Sequence, residues 1–486
     1  MDSRPNVLFV LADDMGYGDF GVFGDGSPRT PRLDALVDEG LCLTQHYSGS
    51  CVCAPARACL LTGRYAHRTG AVDTQDANGL DRLHPSERTI GDAFARAGYA
   101  TCLVGKWHSG AYDPVYHPTS RGFAEFAGFQ GGWSDYYDYR LQVGRGRTDG
   151  GGRYMTDVLT DEALAFIDRA AAGRATVAPG VTGGSGVNGA NGAPPFFLSL
   201  CYNAPHFPFQ APRADIERFR DLADPASGAP ADLATLYAMI YRMDEGLGRV
   251  LDRLRHHGME ENTIVVFTSD NGPQMSANVR RYNANWAGAK GNVYEGGIRV
   301  PAVVRWPGRV QRSVRSDAMM HFVDWLPTLA TLCDIGLPSD AAGPLDGIDV
   351  ADVLTAGAAG YDAPRFWQWN RYEPVANCNA AVRDGTWKLV YPQIDEALAL
   401  SDEDITTDKY YKAHPDEVST VVPARYERTI PPPHPPQLYN LSADPFEQRD
   451  LASIETERTK RMGRMLENWF EEVETERTSR EQGYAR

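Results

Sequence analysis

Cys53, Pro55 and Arg57 stand in C-x-P-x-R spacing within the stretch SGSCVCAPARACLLTGRY, residues 48–65. The apolar run Ala58, Cys59, Leu60 and Leu61 follows, and Gly63 is placed to end it as a helix C-cap. Pro55 suits a first helical turn. A helix beginning just after Cys53 would turn its unpaired N–H groups and positive dipole end toward any anion that meets the Cys53 side chain. Taken alone, the segment also reads as a buried cysteine before a proline-started helix.

Other chemistry-bearing groups recur at one kind of place, the end of an apolar run. Residues 6–12 (NVLFVLA) stop at Asp13 and Asp14; residues 99–104 (YATCLV) run into Gly105, Lys106, Trp107 and His108. Residues 196–201 (FFLSLC) deliver Asn203, Pro205 and His206, and residues 262–269 (NTIVVFTS) end at Asp270, Asn271 and Gly272. Lys290 lies in the glycine-rich GAKG segment before the apolar run 300–304. Asp13, Asp14, Asp270 and Asn271 offer hard oxygen ligands, which suit Ca2+ or Mg2+ rather than zinc. Each aspartate taken singly is more often a solvated turn residue, and a lone histidine or lysine after a strand is more often structural.

The elements that must position these groups are short β-branched runs of the kind buried in a parallel sheet, alternating with helical patterns. Helices are expected at 30–40, 88–97, 156–169, 232–257 and 321–332. In an open α/β sheet ligands bind outside the carboxyl ends of the strands, so the four polar termini can converge on one crevice. The Gly/Ala/Val/Ser tract 170–193 reads as a flexible surface insertion. Composition shifts near Gly360, giving an expected large domain over 1–360 and a smaller α+β unit over 361–486. In the latter, Asp384-Gly385 between two β-like runs (380–391) signals a hairpin. Residues 395–437 read as a long irregular excursion. Residues 455–476 form a charged helix with Met462, Met465, Leu466 and Phe470 on one face.

A length of 486 residues supports a large core, and the net charge of −16 argues against nucleic acid or anionic membrane as a partner. A polyanionic substrate would need a local basic pocket. Eight cysteines at 42, 51, 53, 59, 102, 201, 333 and 378 lie mostly inside apolar runs, so buried free thiols are expected rather than a disulfide framework. No apolar run reaches membrane-span length, and residues 1–6 lack the regions of a signal peptide. The expectation is a cytoplasmic protein, or a secreted or periplasmic one whose leader has been removed.

With its neighbours included, the signature CAPARACLLTGR resembles that of the type I sulfatase family, whose nucleophile is a Cα-formylglycine made from the signature cysteine by a formylglycine-generating enzyme. Ala56 departs from the serine most members carry. The resemblance runs from RPNVLFVLADD to PQLYNLSADPFEQRDL and implies the alkaline-phosphatase-like fold: a large mixed sheet between helices, then a small antiparallel sheet with a helix. It implies one divalent cation, Ca2+ or Mg2+, on Asp13, Asp14, Asp270 and Asn271, with modified Cys53 adding an oxygen. It further implies that one hydroxyl of the hydrated aldehyde attacks sulfur and the other then expels sulfate. In these roles Asp270 would take the attacking proton, Arg57 hold the diol, and Lys106 neutralise sulfate oxygens. His108 would serve as base or diol partner, and His206 and Lys290 would face the bridging oxygen.

The expected substrate is a sulfated carbohydrate or small aryl sulfate. Trp133, Tyr136, Tyr137, Tyr139 and Arg140 are readable as a sugar-binding rim or as packing beneath a loop. The competing activity is phosphate or phosphonate monoester hydrolysis in the same superfamily. Those relatives typically place a histidine where this chain has Asn271. A catalytically dead carbohydrate-binding relative is the second rival.

Overall fold

The computed structural model describes residues 4–178, 193–222, 233–275, 280–338, 340, 342–414, 417–418, 421 and 426–484. Its strands in chain order are β1 (Asn6–Ala12), β2 (Leu41–Leu43), β3 (His46–Tyr47), β4 (Ala100–Lys106), β5 (Glu125–Phe129), β6 (Arg140–Val143), β7 (Gly146–Asp149) and β8 (Phe196–Cys201). Then come β9 (Thr263–Ser269), β10 (Ala302–Arg305), β11 (Val314–Ser316), β12 (Met320–His321), β13 (Arg365–Gln368), β14 (Ala380–Asp384), β15 (Trp387–Tyr391) and β16 (Gln437–Asn440). Ten of them form one mixed sheet in the order β11-β2-β10-β9-β1-β8-β4-β5-β6-β7, and β13 to β16 form a second, antiparallel sheet.

At the centre of the large sheet β9, β1, β8, β4 and β5 are mutually parallel. Register fixes what their ends deliver. Ala12 pairs with Ser269, Leu11 with Cys201 and Gly105 with Cys201, so Asp13, Asp270 and Lys106 emerge at nearly one level. Gly105 has φ +104°, and a Cβ there would lie 1.9 Å from the Cys201 carbonyl oxygen, so only glycine lets β4 stay against β8 at this point.

Successive residues of β1 point into opposite cores. Val7, Phe9 and Leu11 pack in a core that includes the helix Cys53–Thr62, whereas Leu8, Val10 and Ala12 face the helices Met155–Ala171 and Leu233–His256. The near-continuous apolar sequence of β1 follows from burial on both faces. Gly63, with φ +68°, caps the helix Cys53–Thr62 by donating its N–H to Cys59 O at 2.9 Å. The small sheet is covered by the helix Thr456–Tyr484, which buries Met462, Leu466, Trp469 and Val473. The Trp469 ring stacks on Phe366 at 5.2 Å.

Two expected features come out differently. The stretch 395–437 is not irregular throughout: it contains the helices Asp395–Leu398 and Asp402–Ala413. The charged terminal helix runs on to Tyr484, beyond 476, because Arg477 and Arg480 bond to Glu474, Glu373, Glu87 and Glu476. The tract 170–193 begins inside the helix Met155–Ala171, and residues 179–192 lie outside the described residues. All eight cysteines are buried and free. No helix among the described residues is long and apolar enough to cross a membrane.

Candidate active site

The carboxyl ends of β1, β4, β8 and β9 and the N-terminus of the helix Cys53–Thr62 meet in one crevice. Lys106 Nζ donates to Asp13 Oδ2 at 2.6 Å and is itself fully buried. Arg57, one turn beyond Cys53, donates from Nε and Nη2 to Asp270 Oδ2 at 3.0 and 2.8 Å and from Nη1 to the Lys106 carbonyl at 3.1 Å. Asp14 turns with φ +66°, a left-handed conformation that aspartate tolerates, and its N–H donates to Asp270 Oδ1 at 3.2 Å. Lys290 Nζ donates to Asp14 Oδ2 at 2.8 Å, Asn271 Nδ2 to Asp14 Oδ1 at 2.7 Å, and His206 Nε2 stands 3.8 Å from Asp14 Oδ2. One ligand atom each from Asp13, Cys53 and Asp270 lies within 4.8 Å of the others, as does one each from Asp13, Asp14 and His206. With His108, whose side chain hydrogen-bonds to Cys53, the ten residues expected in catalysis or metal binding lie in one site.

The electrostatics are those of buried charge arranged in opposition. Burial, then Asp270, pushes the Asp13 carboxyl well above its usual range, against the pull of Lys106 and Arg57. Burial also opposes ionisation of Asp14, but Lys290, with His206 and Lys106 behind it, holds that carboxyl well below the usual range. Burial raises the Cys53 thiol, yet Lys106, His108 and Lys290 overcome it and bring the group down to about 6. Asp13 Oδ1 and Asn271 Oδ1 are buried with no hydrogen-bond partner in the protein. Hard oxygens crowded together, two of them unsatisfied, fit a divalent cation.

The sequence reading missed Asp76, Asp81 and Arg281, and left the place of Tyr136 open. Asp76 stands 3.2 Å from His108 Nε2, which also donates to Thr74 O at 3.1 Å. Asp81 joins Asp76 and His108 in a buried cluster. Arg281 Nη2 donates to the Asp14 carbonyl at 2.5 Å and so supports the turn at the paired aspartates. The Tyr136 hydroxyl lies 2.7 Å from the Asn203 carbonyl and 2.9 Å from the His206 carbonyl, fixing the loop after β8. Tyr136 is fully buried, so it belongs under that loop and not to a sugar-binding rim; Tyr137 packs on the Tyr154 ring at 5.3 Å. Trp133, Tyr139 and Arg140 do line a cavity of about 600 Å³, together with Tyr112 and Lys412.

Residues 5–335, more than half of the chain, match the family model described as sulfatase. The chain belongs to the sulfatase family. Residues 286–420 also match the N-sulphoglucosamine sulphohydrolase C-terminal model. Arylsulfatase J of Mus musculus is 28% identical over 93% of this sulfatase and 73% of its own length. N-acetylgalactosamine-6-sulfatase of Homo sapiens is 30% identical over 75% and 72%. Among solved structures, that of Ps i-CgsB in complex with k-i-k-neocarrahexaose superposes with a TM-score of 0.76 at 26% identity, covering 96% of this chain and 93% of the other. The phosphonate monoester hydrolase SpPMH from Silicibacter pomeroyi shares the fold, with a TM-score of 0.60 at 18% identity over 96% of this chain and 95% of its own. The chain is thus a sulfuric ester hydrolase with a mixed central sheet and a small C-terminal antiparallel sheet.

Proposed function

We propose that this sulfatase hydrolyses a sulfate ester of a sulfated carbohydrate, with Cα-formylglycine generated at Cys53 and one divalent cation, Ca2+ before Mg2+, held by Asp13, Asp14, Asp270 and Asn271. The observation that carries the reading is Cys53 at a helix N-terminus within 4.8 Å of Asp13 and Asp270, with Lys106, His108 and Lys290 around it. The hydrated aldehyde supplies a nucleophilic hydroxyl and a second hydroxyl to release sulfate, and the cation supplies charge to the sulfate oxygens.

The protein's own groups divide the remaining work. Asp270, held by Arg57, accepts the proton of the attacking hydroxyl. Lys106 and Lys290 place two ammonium groups on either side of the paired aspartates, where the non-bridging oxygens need positive charge. His206 accepts at Nε2 or, once protonated, donates there, because its Nδ1 is committed to the Phe207 carbonyl at 2.7 Å. A carbohydrate substrate is supported by the relative named for N-acetylgalactosamine 6-sulfate and by the oligosaccharide complex of Ps i-CgsB.

The test is the mass of the peptide containing residue 53, taken together with turnover of matched sulfate and phosphate monoesters. Formylglycine with sulfate release is the expected result. Full activity with unmodified cysteine, or preference for the phosphate ester, would overturn it.

A further inference from the structure

We propose that the part of the chain carrying the small sheet positions His108: Arg371, just after β13, and Lys412, on the helix Asp402–Ala413, hold the loop 73–81 that sets the direction of the imidazole. Both are positioning residues, acting through His108 and not on the ester. The inference rests on the sulfatase reading of the site and on the role of His108 at residue 53.

The backbone of His108 follows β4 and is held by the bond from its N–H to the Gln130 carbonyl at 3.0 Å. Its φ of +48° is a left-handed conformation that persists only where the surroundings hold it. The ring takes its direction from elsewhere. Nε2 donates to the Thr74 carbonyl at 3.1 Å and stands 3.2 Å from Asp76 Oδ1, so the two acceptors that face it both belong to the loop 73–81. That loop contains no helix or strand, yet internal bonds close it into one body: Asp73 N–H to Leu80 O at 3.0 Å, Leu80 N–H to Gln75 O at 3.2 Å and Gly79 N–H to Asp76 O at 3.1 Å. Whatever pins Asp73 therefore also places Thr74 and Asp76.

The pins come from the small-sheet part. Arg371 Nη1 donates to Thr74 Oγ1 at 2.6 Å and to Asp73 Oδ1 at 3.0 Å. The Tyr372 N–H donates to Asp73 Oδ2 at 3.1 Å and the Trp369 indole to Oδ1 at 3.3 Å, so both oxygens of this buried carboxylate accept from residues 369–372. Arg371 is itself fixed: its N–H donates to the Ala397 carbonyl at 3.1 Å and its guanidinium lies over the Trp369 ring at 5.0 Å. Elsewhere on the loop Lys412 Nζ, paired with Asp408 at 2.7 Å, lies 3.9 Å from Asp76 Oδ2. Burial opposes ionisation of Asp76, and Lys412, the largest influence against it, holds the carboxyl well below its usual range. Asp81, whose Oδ2 accepts the Gly110 N–H at 3.0 Å, is a further acid of this cluster. The line from Arg371 to residue 53 thus runs through Thr74 and His108, and that from Lys412 through Asp76 and His108.

The test is a double-mutant cycle on the formylglycine-bearing enzyme with nitrophenyl sulfate, joining Arg371→Ala to His108→Ala, with thermal unfolding of each variant alongside. Arg371→Ala should lower kcat by ~10-fold with KM little changed, because it disturbs aim and not binding. Arg371→Lys should recover part of the loss. In the His108→Ala background the same Arg371→Ala step should cost under ~2-fold. A loss that persists undiminished without His108, or falls on KM alone, overturns the proposal, as does full activity in Arg371→Ala. Lys412→Met enters the same cycle and decides it should Arg371→Ala not fold. Full activity in His108→Ala removes the role on which the inference rests, and the proposal with it. Should the unaltered enzyme release no sulfate from any ester, the sulfatase reading fails by itself. Positioning is then decided in unconverted protein by the alkylation rate of Cys53, which His108 contacts. Arg371→Ala should change that rate by ~3-fold or more only while His108 is present. An equal change in both backgrounds, or none, overturns the proposal.

Discussion

His108 Nε2 lies 3.2 Å from an Asp76 carboxylate that also accepts the Gly132 N–H at 3.0 Å, so a loop residue far from any strand end aims the imidazole at residue 53. Burial works to neutralise His108, but the Cys53 thiolate and Asp76 outweigh it and raise the group to about 10. Conversion of Cys53 to formylglycine, as proposed, would remove the thiolate and leave Asp76 as the anion beside His108. Asp76→Asn should lower kcat/KM by about 10²-fold and move the alkaline limb of its pH profile downward, because the cationic form loses its partner. A variant that lost rate without moving the limb would mark Asp76 as merely structural.

In protein isolated without conversion, Cys53 should be the reactive thiol among the eight. Its group is brought down to about 6, while burial raises Cys42, Cys51, Cys59, Cys102, Cys201, Cys333 and Cys378. Alkylation followed by peptide mapping should show modification at residue 53 that rises through pH about 6 and not near the ordinary ~8.5. Lys106→Ala removes the largest attractive contribution and should shift that midpoint upward. An unshifted midpoint, or labelling spread evenly over the other cysteines, would contradict the electrostatic account of the crevice.

Removal of divalent cations should lower stability as well as rate. Asp13, Asp14 and Asp270 are fully buried, and two nearby oxygens have no protein partner, so a cation bound only by the folded chain stabilises it by about 2.7 kcal/mol at a hundredfold excess over Kd. Thermal unfolding after chelation, with Ca2+ or Mg2+ restored separately, reads this out. Asp14→Asn should abolish the difference between chelated and restored protein. Equal Tm in both states of the unaltered chain would argue against a cation at these residues, and two tightly bound ions per chain would favour the phosphatase-like branch.

What could be read from the sequence was what depends on local pattern. The run NVLFVLA is apolar at every position because both faces of β1 are covered, and the polar pair after it marks the strand's end. Asp76 left no such mark: its partner His108 is reached only through tertiary packing, and nothing in residues 73–81 has a period. The helix Asp402–Ala413 was missed for another reason. It is short of apolar residues on any face, so periodicity is silent, although Ser401 accepting the Asp404 N–H at 3.0 Å is an N-cap signal that the segment SDED carries openly. Tyr136 is open in sequence between a rim and packing beneath a loop, and only the fold decides it: its hydroxyl lies against two buried carbonyls and never meets solvent.

The geometry places His206 and Lys290 on the same oxygen of Asp14, at 3.8 and 2.8 Å, which makes them neighbours in the crevice. General-acid help matters most for a poor leaving group: a sugar alkoxide needs a proton, whereas a nitrophenolate departs as the anion. His206→Ala should therefore slow a sugar sulfate by ~10²-fold or more while affecting nitrophenyl sulfate much less. In the proposed mechanism Lys106, hydrogen-bonded to Asp13 at 2.6 Å, would act on the sulfate group common to both esters, so Lys106→Ala should penalise them alike. The comparison is kcat/KM for both esters in both variants, with chemistry shown to be rate-limiting. Equal losses in the His206 variant would remove that residue from the leaving-group role. They would pass it to Lys290, whose ammonium Asp14 stabilises against the cost of burial.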